Sequence, residues 1–321
     1  MPTEDAPEDM LFRDISAVSA IEANESASGD RDLAKVAQWF MDQPRMEQRF
    51  SGVFRQSIDE VLDGQRTGRY DVNDLEKTEK TYLGTKVEIV CRTEFGFSPG
   101  SRMDYQVSGV EVDSKFSLTG DWMIPREAMG HICLVMAAND RKATYGVGLV
   151  RIREELLTGR GNQDQKRRIS REGRSAIKWL VRAGNLDANL LLELDEVTRR
   201  ALMAVPPGQG RVDMLFRHVH GRIVDRNAVV TTAKQLDSAK RVRDARSRLR
   251  GAGIVILGHQ KEGPRIAFSL GLPVPKKGTW VAARVVPVSD SSSRRCALVD
   301  GVHFAVAVPG EPECPAPAIN H

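Results

Sequence analysis

Asp113 and Lys115 stand two residues apart in "GVEVDSKFSL" (109–118), where apolar and polar residues alternate as in a β-strand and put both side chains on one face. Taken alone, such a pair on a half-exposed strand is a surface ion pair worth about 0–1 kcal/mol. Two further acids change its meaning. Asp104 precedes it in "SRMDYQV" and Glu88 lies in "LGTKVEIVCR", giving the pattern E-x(15)-D-x(8)-D-x-K. The chemistry that needs such a set is phosphodiester hydrolysis, because attack at phosphorus builds negative charge on the non-bridging and leaving oxygens. Mg²⁺ neutralises that charge through carboxylate ligands while keeping several waters. Asp104 and Asp113 suit that role, with the Ser114 backbone carbonyl as a third ligand. Lys115 would orient or activate a water and stabilise the phosphorane. Glu88 either binds a second metal through water or positions Lys115, and its spacing allows both.

These side chains converge only if particular elements carry them. Asp104 should open a strand that turns back at "SG" (108–109) into the strand of Asp113 and Lys115, with the Glu88 helix packed beside the hairpin. Helical spacing of apolar residues predicts two helices over 33–61, broken at "DQPR", and another over 74–95. "HICLVMAANDRKATYGVGLVRI" reads as a second strand pair whose unbroken apolar runs predict burial on both faces. "REELL" and the basic "DQKRRISREGRSAIKWLV" read as helical, and 182–189 as a linker. The domain division is therefore an acidic, poorly ordered tail over 1–32, a first domain over 33–181, the linker, and a second domain over 190–321. There is no internal repeat.

Charge is divided as sharply as structure. The net of +4 combines a tail (1–32) with nine acids against two arginines and a segment (162–250) with twenty Lys/Arg against ten acids. A folded basic region of that kind predicts a polyanionic partner. At 41% hydrophobic and 28% charged residues, neither a disordered nor a membrane protein is indicated. No apolar run approaches a bilayer span of about 20 residues, and the acidic start is no secretory signal. A cytoplasmic protein is expected. Cys91, Cys133, Cys296 and Cys314 have neither zinc nor disulfide spacing, so reduced thiols are expected.

Within the basic half, "RVDMLFRHVHGRIV", "AVVTTAKQLD", "SAKRVRDARSRLRGAG" and "IVILGH" predict three short helices and then a strand, the order of a winged helix-turn-helix. On the third helix Lys240, Arg243, Arg246 and Arg250 form a cationic stripe, while Val242, Ala245 and Leu249 form an apolar one. Together with Arg241, the stripe is the candidate for contacts to DNA, and Lys276 and Lys277 in "PVPKKGTW" are candidates for added phosphate contacts. His131, His218 and His220 read as packing residues, and Trp122 and Trp179 as core.

The D-x(8)-D-x-K core resembles the PD-(D/E)XK nuclease superfamily. "DGQRTGR", "KTEKTYLGTKVEI", "GHICLV", "IVILGHQ", "GLPVPKKG" and "VAARVVP" resemble the NaeI-type restriction endonucleases from about Phe50 onward. Met103 replaces the superfamily proline. The resemblance implies an α/β fold, a restriction-endonuclease-like mixed sheet flanked by helices, with a C-terminal α+β winged-helix domain of the CAP-like kind. It further implies a homodimeric, Mg²⁺-dependent type IIE enzyme that cuts double-stranded DNA at a GC-rich palindrome to blunt ends. Each protomer would bind two duplexes, substrate and effector, with catalysis on Glu88, Asp104, Asp113 and Lys115. The competing reading is a winged-helix DNA-binding regulator whose first half only dimerises, but it leaves the four polar residues without a reason to be arranged together. "VLDGQR" (61–66) resembles the K-x-D-G-x-R motif of DNA ligases, yet Val61 replaces the nucleophilic lysine. A helix end followed by a glycine turn, without adenylation chemistry, is the expectation.

Overall fold

Asp30 caps the helix α1 (Arg31–Met41) by accepting a 3.0 Å hydrogen bond from Leu33 N. The computed structural model describes residues 29–289 and 293–321. The tail expected over 1–32 therefore lies outside the described residues up to 28, while Arg31 and Asp32 belong to a helix. Asp30 also takes the Arg151 guanidinium, and that hydrogen bond outweighs burial to bring its carboxyl down to about 2.

The chain divides into two units. One holds the residues up to Val61 together with Val72–Ala188; the other holds Leu62–Asp71 and Asn189–His321. In the first, α1 and α2 (Met46–Leu62) are joined by the "DQPR" break, as the apolar spacing predicts. The short α3 (Gly64–Thr67) belongs to the other unit, and α4 (Lys77–Phe95) follows with a Glu76/Glu79 capping box and a left-handed Gly96 at its end.

The first unit is built on a six-stranded sheet of β1 (Ser98–Pro99), β2 (Tyr105–Val107), β3 (Val110–Ser117), β5 (Ile132–Asn139), β6 (Thr144–Arg151) and β8 (Lys178–Asn185), in that spatial order. β3 and β5 run parallel, and the remaining neighbours are antiparallel. Seven of the eight β5 residues are buried, which explains the strand's unbroken apolar run. One set of neighbours is aromatic, with Phe40, Phe50, Phe54, Phe95 and Phe97 in mutual ring contact. The other set is Trp122, Ile124, Cys133, Val135 and Ile177. Trp122 is in this core, with Trp179 packed against it.

Three expectations for this unit are corrected. The basic stretch from Asp164 forms no helix: it holds β7 (Arg167–Arg168), which pairs with β4 (Met123–Ile124), a 3₁₀ turn at Gly173–Ala176, and the start of β8. Between Gln165 and Ser175 the sole large apolar residue is Ile169, so a helix there would have no face to bury. "REELL" yields one 3₁₀ turn, Glu154–Leu156. The linker expected from 182 is instead β8 up to Asn185, and the unit boundary falls after Ala188.

In the second unit, Asn189 caps α5 (Leu190–Glu193) and its Nδ2 donates to the Tyr70 carbonyl at 2.8 Å, which ties the inserted segment 62–71 down. α6 (Glu196–Ala204) and α7 (Gln209–His218) follow, then β9 (Ile223–Asp225). Next come α8 (Arg226–Ala233) and α9 (Ser238–Leu249), capped by Asp225 and Asp237 and separated by a turn in which Lys234 is left-handed. The predicted order of three helices and a strand is present, the strand being β10 (Ile254–Leu257). After α10 (Gly263–Ser269), an antiparallel sheet runs β10, β11 (Thr279–Val288), β13 (Val302–Val306), β12 (Cys296–Val299), with β9 also on β11. No helix among the described residues is long and apolar enough to cross a membrane.

The ligase-like "VLDGQR" straddles the two units, with Val61 buried at the end of the first and the rest in the second. Its glycine is required by packing: a Cβ on Gly64 would stand 2.1 Å from Thr231 Oγ1 and 2.9 Å from the Arg69 carbonyl. Gly64→Ala should therefore lose about 1–3 kcal/mol from overpacking. Chemical denaturation measures this, and wild-type stability would contradict the packing account.

Candidate active site

β2 and β3 form a tight hairpin through Ser108 and Gly109, both at positive φ, with Tyr105 opposite Val112. This returns the chain so that Ser114 N donates to Asp104 Oδ2 at 2.7 Å. Two residues of one strand then face the same way: Lys115 Nζ lies 2.6 Å from Asp113 Oδ2. The same ammonium donates to the Ser114 carbonyl at 3.0 Å. Asp113 is one of the few buried acids among the described residues, at 6% exposure. The parallel β5 strand sets Cys133 opposite it, with Sγ 3.3 Å from Oδ2.

Glu88 comes from α4 and is near but separately held. Arg92, one turn on, pairs with it at 2.8 Å and also reaches the Asp104 carbonyl at 3.4 Å. Tyr105 joins helix to hairpin: its hydroxyl donates to the Glu88 carbonyl at 2.9 Å and lies 3.2 Å from Ser114 Oγ. The structure adds Arg92, Tyr105 and Cys133 to the site residues that the sequence points to. Arg92 sits at i+4 from Glu88, a spacing that could have signalled an ion pair; nothing in sequence marks the other two.

The electrostatics are those of crowded acids with too little compensating charge. Burial, and then the nearby Asp104, push the Glu88 carboxyl up against the opposing pull of Arg92 and Lys115. Asp104 is likewise raised by burial; the bond from Ser114 N opposes this, and the adjacent Asp113 adds to it. Burial acts to lower Lys115, but the charge and hydrogen bond of Asp113 outweigh it and raise the amine. The Cys133 thiol is pushed well above its ordinary range by burial and by Asp113, so it stays protonated.

The donor set fits a hard divalent cation, since Asp104, Asp113 and the Ser114 carbonyl offer oxygen alone. Lys115 touches two of these three groups and occupies the electrostatic role of a cation. The described residues contain no group of three or more His, Cys, Asp or Glu side chains that could hold a metal ion.

In the second unit Lys240, Arg243 and Arg250 on or beside α9 are exposed, as are Lys276 and Lys277 on a turn closed by Gly278 at φ 81°. Arg241 is half-buried. Arg246 departs from the expected stripe: its Nε donates to the Ile256 carbonyl at 2.9 Å, and burial pushes the guanidinium down to about 10. Spacing alone puts Arg246 in the stripe, but a helix resting on a strand turns one of its four positions inward. Arg250 keeps its exposure but donates to the Ala316 carbonyl at 3.0 Å. Arg248, missed by the stripe, is exposed and lies 3.5 Å from Asp213. His131 is half-buried before β5, His218 is exposed, and His220 is bound to the Phe216 carbonyl.

Two comparisons with known proteins bear on the family of this chain. A family model described as restriction endonuclease NaeI matches residues 34–315. The type II restriction enzyme NaeI of Lentzea aerocolonigenes is 45% identical over 304 residues, which cover 91% of this chain and 96% of that protein.

Tyr105 makes a direct prediction. Tyr105→Phe keeps the ring against Phe97, 4.9 Å between centroids, and deletes the strut to Glu88 and Ser114. A loss of about 1 kcal/mol in a urea titration, with the fold retained, is expected for a hydrogen bond of this kind. No loss would show that the hydroxyl holds nothing.

Proposed function

Because this chain belongs to the restriction endonuclease NaeI family and is a type II site-specific deoxyribonuclease, we propose that it cuts double-stranded DNA with Mg²⁺ at a GC-rich palindrome. We further propose that a second copy of that site, bound by the C-terminal unit, activates cleavage. The observation that carries the catalytic half is the contact set at β3: Lys115 on Asp113 and the Ser114 carbonyl, with Asp104 on Ser114 N.

Asp104, Asp113 and the Ser114 carbonyl would hold the cation. When bound, it supplies positive charge to the phosphate oxygens and to the leaving 3′ oxygen. Lys115, within reach of Asp113 and the Ser114 carbonyl, would orient water and stabilise phosphate charge. A water oxygen bonds to phosphorus while the bond to the 3′ oxygen breaks; the water's proton leaves to solvent and the 3′ oxygen is protonated. The products are 5′-phosphate and 3′-hydroxyl ends. Glu88, paired with Arg92, adds a third carboxyl group beside Asp104, and a cation there would relieve the crowding that raises both. A palindromic site calls for two symmetric active sites, hence a homodimer. In the C-terminal unit, the exposed Lys240, Arg243, Lys276 and Lys277 are suited to phosphate contacts and Arg241 to a closer one, whereas Arg246 serves the domain's own fold. Coupling between the duplexes requires that effector DNA favour the cleaving conformation.

Asp113→Ala and Lys115→Ala should each slow plasmid cleavage at saturating enzyme by on the order of 10²–10³-fold, the scale for removing a preorganised charge. Unchanged turnover in either ends the assignment. Lys240→Ala and Arg243→Ala should each lower the salt dependence of effector-duplex binding by about one phosphate's worth; an unaltered slope contradicts their placement at DNA. Cleavage of a one-site substrate should speed up when short duplexes carrying the site are added. Competition at every concentration refutes activation.

A further inference from the structure

Two donors meet on one oxygen of Asp113. Its Oδ2 takes both the Lys115 ammonium at 2.6 Å and the Cys133 Sγ at 3.3 Å. Cys133 is fully buried, sits opposite Asp113 in the β3–β5 ladder, and belongs to the cluster of Val135, Val150 and Ile152. A buried thiol usually acts as a small hydrophobe. This one has a carboxylate oxygen within donor distance, and the hydrolytic step described above makes no use of it.

We propose that Cys133 is a positioning residue that makes Asp113 a one-oxygen ligand and thereby biases the site toward Mg²⁺ over Ca²⁺. The inference rests on Asp104 and Asp113 being the metal pair. With Lys115 and Cys133 both on Oδ2, the carboxylate is fixed about its terminal bond and Oδ1 is the oxygen left to offer. Mg²⁺ demands near-ideal octahedral geometry, whereas Ca²⁺ accepts carboxylates with one oxygen or two in flexible, larger shells. A carboxylate released from the thiol could turn and present both oxygens, which suits the larger ion. Groups that hydrogen-bond a ligating carboxylate commonly act in this way.

The test is calorimetric titration of the intact protein, without DNA, with Mg²⁺ and separately with Ca²⁺. Wild type is compared with Cys133→Ala, Cys133→Val, Cys133→Ser and Asp113→Asn, each checked by thermal melting. Removing the donor (Ala at smaller volume, Val at somewhat larger volume) should weaken Mg²⁺ binding by about 10-fold or more, with a smaller effect on Ca²⁺. Serine, which keeps a donor, should restore the wild-type ratio. In cleavage assays the loss should shrink as Mg²⁺ is raised, with KM for DNA unchanged. Wild-type Mg²⁺ and Ca²⁺ affinities in Ala and Val, with binding lost in Asp113→Asn, would overturn the role of Cys133 and leave the metal pair standing. Equal loss in Ser, Ala and Val would also overturn it, as a packing effect. Wild-type binding in Asp113→Asn would remove the metal pair and the inference with it.

Discussion

The first unit is organised around an electrostatic conflict: Asp104 and Asp113 are brought together in a partly desolvated hairpin with a third acid nearby. Like charges at such range and burial both oppose ionisation, and the raised Asp104 and Glu88 record this. Lys115 relieves part of the conflict from the same strand, and Arg92 relieves another part from the helix. A further positive charge would relieve what remains of it. The fold holds the acids in place by means that do not neutralise them: a two-residue turn at Ser108–Gly109, a main-chain donor at Ser114, and the Tyr105 strut.

That arrangement explains the architecture around it. β3 must be fixed on both sides to keep Asp113 and Lys115 aligned, so it is hydrogen-bonded to β2 on one edge and to the largely buried β5 on the other. The parallel register with β5 is also what delivers Cys133 to Asp113. α4 carries Glu88 and Arg92 on one side and packs Leu83, Val87 and Val90 on the other, so its burial and the placement of its charges are one property.

Much of this was legible in the sequence. The β2–β3 hairpin, the α4 helix and the unbroken β5–β6 pair follow from period-two and period-3.6 patterns, and the spacing of Glu88, Asp104, Asp113 and Lys115 follows with them. What could not be read depended on partners distant in sequence. Tyr105 and Cys133 look like ordinary core residues until the fold sets them against Ser114 and Asp113. Composition misled over 164–181, where basic, helix-prone residues lack an apolar stripe and settle into β7, a turn and β8. Arg246 fits a cationic stripe by spacing, but the strand under α9 claims it. The segment 62–71 reads as a connection between helices of one domain, yet it packs in the other unit because Gly64 admits Thr231 at close range.

The central claim is that Asp104, Asp113 and the Ser114 carbonyl share one divalent cation, in place of the contact that Lys115 now makes with that carbonyl. Anomalous diffraction from crystals grown with Mn²⁺ tests it most directly. The account predicts a single strong peak within coordination distance of all three groups, with the Lys115 ammonium moved off the Ser114 carbonyl. A peak elsewhere, or none while the lysine keeps both of its contacts, would contradict it.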